Sequence, residues 1–275
     1  MKDDLAQDFD LIRSAAREAG KLALSYWGGS LKKQRKADGS TVTEADHAVD
    51  ALFAQRLKEA RPDYGWLSEE SAEHEDRLRA GRVFVVDPID GTRAFIQGYD
   101  DWVIAVALVE DGAPALAAVV NPVRGETFEA SRGAGAFLNG GKLSVSARSV
   151  LAGARLVVPE SILKPNRWRR PWPPVTPVWA NSMIYRLALV ASGKADASFA
   201  VKPKWEWDVA AGALLVSEAG GIVTDPCGLP LTFNSREAKV PGFLAAAPEL
   251  HHILAERMSD ALDGAPVAQG HKTKT

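Results

Sequence analysis

Cysteine is nearly missing from this chain: Cys227 is the only one in 275 residues. A lone thiol closes no internal disulfide and supplies no cysteine cluster for zinc. Long apolar runs are also missing, since no stretch reaches the roughly 18 residues of a spanning helix. Neither sign of charge dominates, with 33 Lys and Arg against 35 Asp and Glu and a formal net charge of −2. That balance argues against nucleic-acid binding and against adsorption to a membrane. The opening residues Met1-Lys2-Asp3-Asp4-Leu5 are too acidic and polar for a secretory signal. A cytoplasmic protein is the expectation.

What is present is an ordinary packed composition, 46% hydrophobic and 25% charged, in a chain long enough for one large domain or two closely packed halves. Phe9, Ile12, Ala16, Ala19, Leu22, Ala23 and Tyr26 repeat at helical spacing, which predicts a helix over 9–27 stopped by Gly28-Gly29. A second helix is expected over 44–60, capped by Thr43, with Val49, Leu52, Phe53 and Leu57 on its buried face. The period then changes. Segments 83–86, 103–109, 115–120, 126–130 and 143–145 read as strands of a largely antiparallel sheet. After them come a strand over 154–158, a helix over 182–191, a strand over 195–200 and a helix over 208–219. Strands over 222–224 and 243–246 and a helix over 248–262 complete the pattern. Grouped strands, not strict alternation with helices, favour an α+β fold. The expected division is an N-terminal α+β half over 1–148, a second half over 149–263, and a small, polar, disordered tail over 264–275. Residues 164–178 stand apart, with five prolines around Arg167-Trp168-Arg169-Arg170, and read as a surface loop or lid.

The sharpest local feature is Asp87-Pro88-Ile89-Asp90-Gly91-Thr92, directly after an apolar strand. Two carboxylates at the end of a buried strand repel each other unless a cation lies between them. Hard oxygen donors suit magnesium, and the Ile89 carbonyl could add a third. Gly91 lets backbone approach a ligand, and a helix beginning at Thr92 would aim amides at a phosphate. The same hexapeptide also suits a plain capped turn. Glu69-Glu70 lies upstream. Asp208 opens the small-residue stretch Ala210-Ala211-Gly212, where an acid could equally be a helix cap, and Asp46 sits in the first turn of the second helix, where the dipole alone favours an acid.

Taken together, Glu69-Glu70, Asp87 to Thr92 and Trp207-Asp208-Val209-Ala210-Ala211-Gly212 resemble the inositol monophosphatase family, whose signatures are an acidic pair, D-P-I-D-G-T and W-D-x-A-A-G. Its wider superfamily of lithium-sensitive, magnesium-dependent phosphatases includes fructose-1,6-bisphosphatase and the 3′(2′),5′-bisphosphate nucleotidases. The resemblance covers roughly 9–262. It implies a layered α/β/α/β/α sandwich with the metal and phosphate site in the first half and the second half completing it. Glu69, Asp87 and the Ile89 carbonyl would hold one Mg2+ ion. Asp87, Asp90 and Asp208 would hold another, and Glu69 a weaker third through water. Glu69 and Thr92 would orient the attacking water, Asp46 would support Thr92, and the amides of Gly91 and Thr92 would bind phosphate oxygens. Homodimerisation and lithium inhibition are implied in the same way.

The chain departs from the family pattern at three places. Ser68 stands where Gly is usual before the acidic pair. Val201 stands seven residues before Asp208, where inositol monophosphatases carry a glutamate for inositol hydroxyls. Asn181-Ser182 replaces a Gly-Ser pair beside the substrate pocket. The stretch Lys202-Pro203-Lys204-Trp205-Glu206-Trp207 looks more like some bacterial bisphosphate nucleotidases. On that reading Lys202 or Lys204 meets a second phosphate, Trp205 meets adenine, and Ser182 and Asp208 line the pocket; on the other, these residues are rim solvation and packing. Arg167, Arg169 and Arg170 could clamp a phosphate from the lid or form a solvated face. Expected substrates are 3′-phosphoadenosine 5′-phosphate or inositol 1-phosphate. The alternative is a non-catalytic module that binds a phosphorylated metabolite.

Overall fold

The computed structural model describes residues 2–37, 39–71 and 75–261. Helix α1 spans Lys2–Tyr26, starting earlier than its apolar repeat. The reason is Asp8, fully buried in that first stretch. It accepts from Arg61 Nε at 2.6 Å and from the Tyr64 hydroxyl at 2.8 Å, partners too far along the chain for local periodicity to register. Helix α2 (Glu44–Phe53) begins at Thr43 as expected and continues as a wider turn over Ala54–Lys58.

Seven strands form the first sheet. They are β1 (Gly65–Ser68), β2 (Arg82–Asp90), β3 (Val103–Glu110), β4 (Ala113–Asn121), β5 (Glu126–Ser131), β6 (Gly135–Leu138) and β7 (Gly141–Lys142), paired in that order. Only the β1–β2 pair is parallel. The strand expected over 143–145 is displaced: pairing runs through β6 and β7, and Val145 N instead donates to Ala219 O at 3.0 Å. Helix α3 (Thr92–Gln97) follows β2, and its Ala94 and Phe95 pack in the core shared with α1 and α2. A mixed five-stranded sheet contains β8 (Arg155–Leu156), β9 (Thr176–Pro177), β10 (Ala197–Ala200), β11 (Ile222–Thr224) and β12 (Phe243–Ala246), in the order β9-β8-β10-β12-β11.

The strands carry apolar residues on both faces because both faces are covered. Phe84 and Val86 of β2 pack with Ile12 and Ala16 of α1 and Val49 and Phe53 of α2. Val83 and Val85 point oppositely, into a core with α4 (Met183–Ala191) and α5 (Ala210–Glu218). Beyond the second sheet, Leu156, Phe199 and Leu244 pack with Leu250 and Leu254 of α6 (Pro248–Met258). The layers are therefore α/β/α/β/α, the expected α+β sandwich. Gly212 sets the close approach of α5 to α4: a Cβ there would fall 2.5 Å from Leu187 Cδ1.

Residues 164–178 form a surface loop, one of the two expectations, tied to the body by aromatic side chains. Trp168 is buried and donates through Nε1 to Ile162 O. Trp172 stacks on Phe199 at 5.7 Å, with the Arg257 guanidinium 4.3 Å from its ring centre. Arg170 pairs with Asp260, and Thr176–Pro177 joins the sheet edge. Trp168 and Trp172 are its anchors. The tail at 264–275 lies outside the described residues. Among the described residues no helix is long and apolar enough to cross a membrane.

Candidate active site

Residues three apart on a regular strand point to opposite faces. Asp87 and Asp90 are three apart on β2, yet the Asp90 charge bears on Asp87, and the register slips between them. Asp87 faces Ala105 while Asp90 faces Val103, so the strand carries one extra residue there. Gly91 then adopts φ +95° and turns the chain into α3. A Cβ at Gly91 would lie 3.3 Å from those of both Ser182 and Trp102, so the turn needs glycine for conformation and for space.

Asp87 is 1% exposed, and neither carboxylate oxygen has a hydrogen-bond partner among the described residues. Burial pushes its pKa well above the usual carboxylate range, and Glu69, Asp90, Asp208 and Asp46 add to the push. Asp90 is raised by burial, although its Oδ2 accepts from the Ser182 hydroxyl at 2.6 Å and from Ile184 N. Burial also lifts Asp208 well up, reinforced by Asp90 and Glu69 and offset by Lys204. Asp46 is raised by burial first, with the Thr43 hydrogen bonds opposing. These acids come together from β2, α2 and the turn before α5. Among the described residues, however, no three acidic, histidine or cysteine side chains are grouped closely enough to hold a metal ion as they stand.

Asp46 has two jobs. Its Oδ2 accepts from Thr43 N at 2.8 Å and Thr43 Oγ1 at 2.6 Å, forming the capping box of α2. Its Oδ1 lies 3.2 Å from Thr92 Oγ1, which is also 3.1 Å from the Ile89 carbonyl. Glu69 extends β1 and is held by its own N–H on Val86 O at 3.3 Å. Lys36 Nζ meets Glu69 Oε1 at 2.8 Å and Glu70 Oε1 at 2.7 Å. Sequence reasoning missed Lys36, which lies in the basic run Lys32-Lys33-Gln34-Arg35-Lys36, where nothing in the spacing singles it out. Asp50 was missed as well. It accepts from Ser68 Oγ at 2.5 Å and Ser71 Oγ at 2.6 Å, so the serine in place of the usual glycine anchors the acidic loop.

Three expectations change. Asp208 neither caps nor begins a helix: α5 starts at Ala210, Val209 is its N-cap, and Asp208 lies in the preceding turn. Ser182 is fully buried, its hydroxyl donating to Asp90 and accepting from Tyr185 N at 2.9 Å, so it caps α4 and positions Asp90 instead of touching substrate. Trp205 stacks on Trp207 at 4.7 Å and has Lys239 Nζ 4.1 Å from its ring centre. Trp205 is 36% exposed, so an adenine stacking on it would compete with these two neighbours. The acid between the tryptophans, Glu206, is buried and points away, accepting from Asn234 N, Ser235 N and Ser235 Oγ.

An open cleft of about 580 Å³ reaches the acids through Glu69, and Gly91, Thr92, Arg93, Trp179 and Arg186 also line it; Asp46, Asp87, Asp90 and Asp208 do not. Lys202 and Lys204 line a separate cavity of about 150 Å³, with Val201 in its wall. Arg169 and Arg170 line neither. The arrangement concentrates desolvated, mutually repelling carboxylates beside a cleft with backbone amides and cations on its rim, which suits a cation-assisted reaction of an anionic ester.

Comparison with known proteins gives a consistent result. The model of the inositol monophosphatase family matches residues 4–262. A protein named Nus factor SuhB from Xylella fastidiosa is 36% identical over 227 residues, 78% of this chain and 81% of that one. A histidinol-phosphatase from Chlorobaculum parvum is 36% identical over 236 residues, 80% of this chain and 86% of that one. Among solved structures, an IMPase from Thermotoga maritima superposes with a TM-score of 0.78 at 26% identity, covering 92% of this chain and 96% of that one. The family and its phosphatase relatives support a phosphatase activity.

Proposed function

The chain belongs to the inositol monophosphatase family, and from that premise we propose that it is a magnesium-dependent hydrolase of small phosphate monoesters. One observation carries the reading: Asp87 is buried with both oxygens unpartnered amid the fields of Glu69, Asp46, Asp90 and Asp208. A bound cation relieves that arrangement, and an all-oxygen donor set suits magnesium. Glu69, Asp87, the Ile89 carbonyl, Asp90 and Asp208 would hold two or three ions. Bound there, magnesium would neutralise the carboxylates and the phosphate dianion and supply Lewis acidity.

The chain's own groups do the rest. Asp46 holds the Thr92 hydroxyl, and Thr92 with Glu69 orients the attacking water in line with the scissile bond. The amides of Gly91 and Thr92 receive phosphate oxygens at the start of α3. Ser182 and Ile184 N keep Asp90 turned into the site.

For substrate, 3′-phosphoadenosine 5′-phosphate and inositol 1-phosphate are the two candidates. Apolar Val201, which cannot bond an inositol hydroxyl, speaks against the second. Trp207 and Lys239, already packed against Trp205, weaken one argument for the first. A cytoplasmic homodimer completes the proposal. A side-by-side assay of both compounds with fructose 1,6-bisphosphate, with and without magnesium, is the test. Magnesium-dependent release from at least one is expected, and release indifferent to magnesium from all of them contradicts it.

A second reading keeps the fold and drops the turnover, since a relative at 36% identity is named a Nus factor and not a phosphatase. It predicts binding of phosphorylated metabolites with no phosphate release.

A further inference from the structure

Glu206 is a fully buried acid that lines no part of the cleft and has no part in the proposed chemistry. A carboxylate there must be met by donors inside the protein. Its Oε2 accepts from Asn234 N at 2.6 Å, and its Oε1 from Ser235 N at 2.8 Å and Ser235 Oγ at 2.6 Å. The backbone is held on the same segment, since Glu206 N donates to Ala238 O at 2.9 Å. Four hydrogen bonds thus fix this one residue on a strap over 234–238.

The strap is itself constrained. Asn234 and Ala238, at its two ends, have φ of +59° and +52°. Asparagine tolerates that region, whereas alanine keeps it only where the surroundings impose it. The strap's N–H groups turn to Glu206, and its carbonyls turn to a buried cation. Arg77 donates to Asn234 Oδ1 at 2.7 Å, to Ser235 O at 2.8 Å and to Arg236 O at 3.3 Å. Asn234 Nδ2 returns a bond to Arg77 O at 3.0 Å. An anion and a cation therefore hold the same peptide units, each by the pole of the dipole that suits it.

Both ends of this arrangement reach acids of the proposed metal site. Glu206 O accepts from Val209 N at 3.1 Å and Ala210 N at 2.8 Å, which closes the turn that carries Asp208 into α5. Arg77 belongs to the short turn Glu75–Arg79, which packs on the start of β1: a Cβ at Gly65 would lie 3.0 Å from Arg77 Cα. Glu69 follows the other end of that strand. Asp208 feels the charges of Asp90 and Glu69, which push its turn outward when no ion lies between them. The bonds at Glu206 oppose that push, so an incoming ion need not first order the turn.

We infer that Glu206, held by the strap and Arg77, is a positioning residue that sets Asp208 against the acids of β1 and β2. It touches neither substrate nor metal. The inference rests on the metal-dependent phosphatase reading and extends it to a residue outside the cleft.

Calorimetric titration with magnesium, without substrate, tests this. Asp208→Asn should lose one ion of the wild-type complement. Glu206→Gln should weaken that same ion by roughly 10-fold, while the ion shared by Glu69 and Asp87 stays within about 2-fold. In an Asp208→Asn background Glu206→Gln should change nothing further, the coupling expected of a residue that acts through another. Ser235→Ala removes one of the three bonds to the carboxylate and keeps the charge. It should weaken the same ion by about 3-fold, and it carries the test if Glu206→Gln does not fold. With a hydrolysed ester, kcat at limiting magnesium should fall in Glu206→Gln and recover at high magnesium, with KM within about 2-fold. Equal weakening of both ions overturns the positioning role. So does unchanged magnesium affinity in Glu206→Gln and Ser235→Ala, or an effect of Glu206→Gln that persists undiminished without Asp208. A wild type that binds no magnesium removes the metal site and the inference with it, whereas normal wild-type binding confines the failure to Glu206.

Discussion

Lys36 donates to Glu69 across 2.8 Å, so the protein places a cation of its own against an acid of the proposed metal site. The same ammonium meets Glu70 at 2.7 Å, and both carboxylates hold its pKa above the ordinary lysine value against the opposing effect of burial. A metal ion arriving at Glu69 must therefore compete with, or sit beside, a positive charge. Lys36→Gln removes that competitor. The magnesium concentration for half-maximal phosphate release is expected to fall by roughly 3- to 10-fold, the size of one unit charge acting over several ångströms at high effective dielectric. A magnesium titration of wild type and variant measures it; an unchanged or raised midpoint counts against competition.

Glu70 gives a pH dependence. Burial pushes its pKa up to about 7, with Lys36 pulling down and Glu69 pushing up. A carboxyl whose folded pKa exceeds its unfolded one favours the fold while protonated. That contribution is complete below pH 4.5 and is lost as pH rises to about 7. Lys36 stays charged across this window and adds no slope. Metal-free protein should lose up to about 3 kcal/mol of stability from this group over that range, at about 1.4 kcal/mol per pH unit. In Glu70→Gln this part of the slope disappears. Urea denaturation in chelator at pH 5 and pH 7.5 compares the two, and parallel pH profiles contradict the assignment.

Thr92 and Asp46 separate structure from chemistry. Asp46→Ala breaks the capping box and the link to Thr92, and should cost about 1–2 kcal/mol of stability as well as turnover. Thr92→Val removes only the hydroxyl, and should lower kcat by at least 10-fold with stability changed by less than about 1 kcal/mol. Denaturation and kinetics on both variants decide it. A Thr92→Val enzyme with full kcat removes Thr92 from the machinery.

Much of this was legible in the sequence because it is local. Thr43 and Asp46 sit at capping-box spacing, the strand before Asp87 is a continuous apolar run, and Gly212 lies in a small-residue stretch. What was not legible depends on distant partners. Asp8 begins α1 early because Arg61 and Tyr64 fold back on it. Trp168 and Trp172 look like features of a lid until Phe199 and Arg257 are placed against them. The bulge between Asp87 and Asp90 exists only in the pairing with β3. Lys36 and Arg186 are ordinary cations in sequence; only the pairing of Lys33–Arg35 with Thr41–Thr43 and the start of α4 carry them to the acids and the cleft.

The most direct test of the account is Asp87→Asn, followed by phosphate release and by thermal unfolding with and without magnesium. Asp87 is the unpartnered buried acid on which the proposal turns. In chelator the variant should unfold at a higher temperature than wild type, because one repelling charge is gone. Magnesium should raise the wild-type midpoint by several degrees and the variant's by much less. Phosphate release should fall by at least about a thousandfold. A variant that keeps its turnover, or a wild type whose stability ignores magnesium, contradicts a metal site built on Asp87.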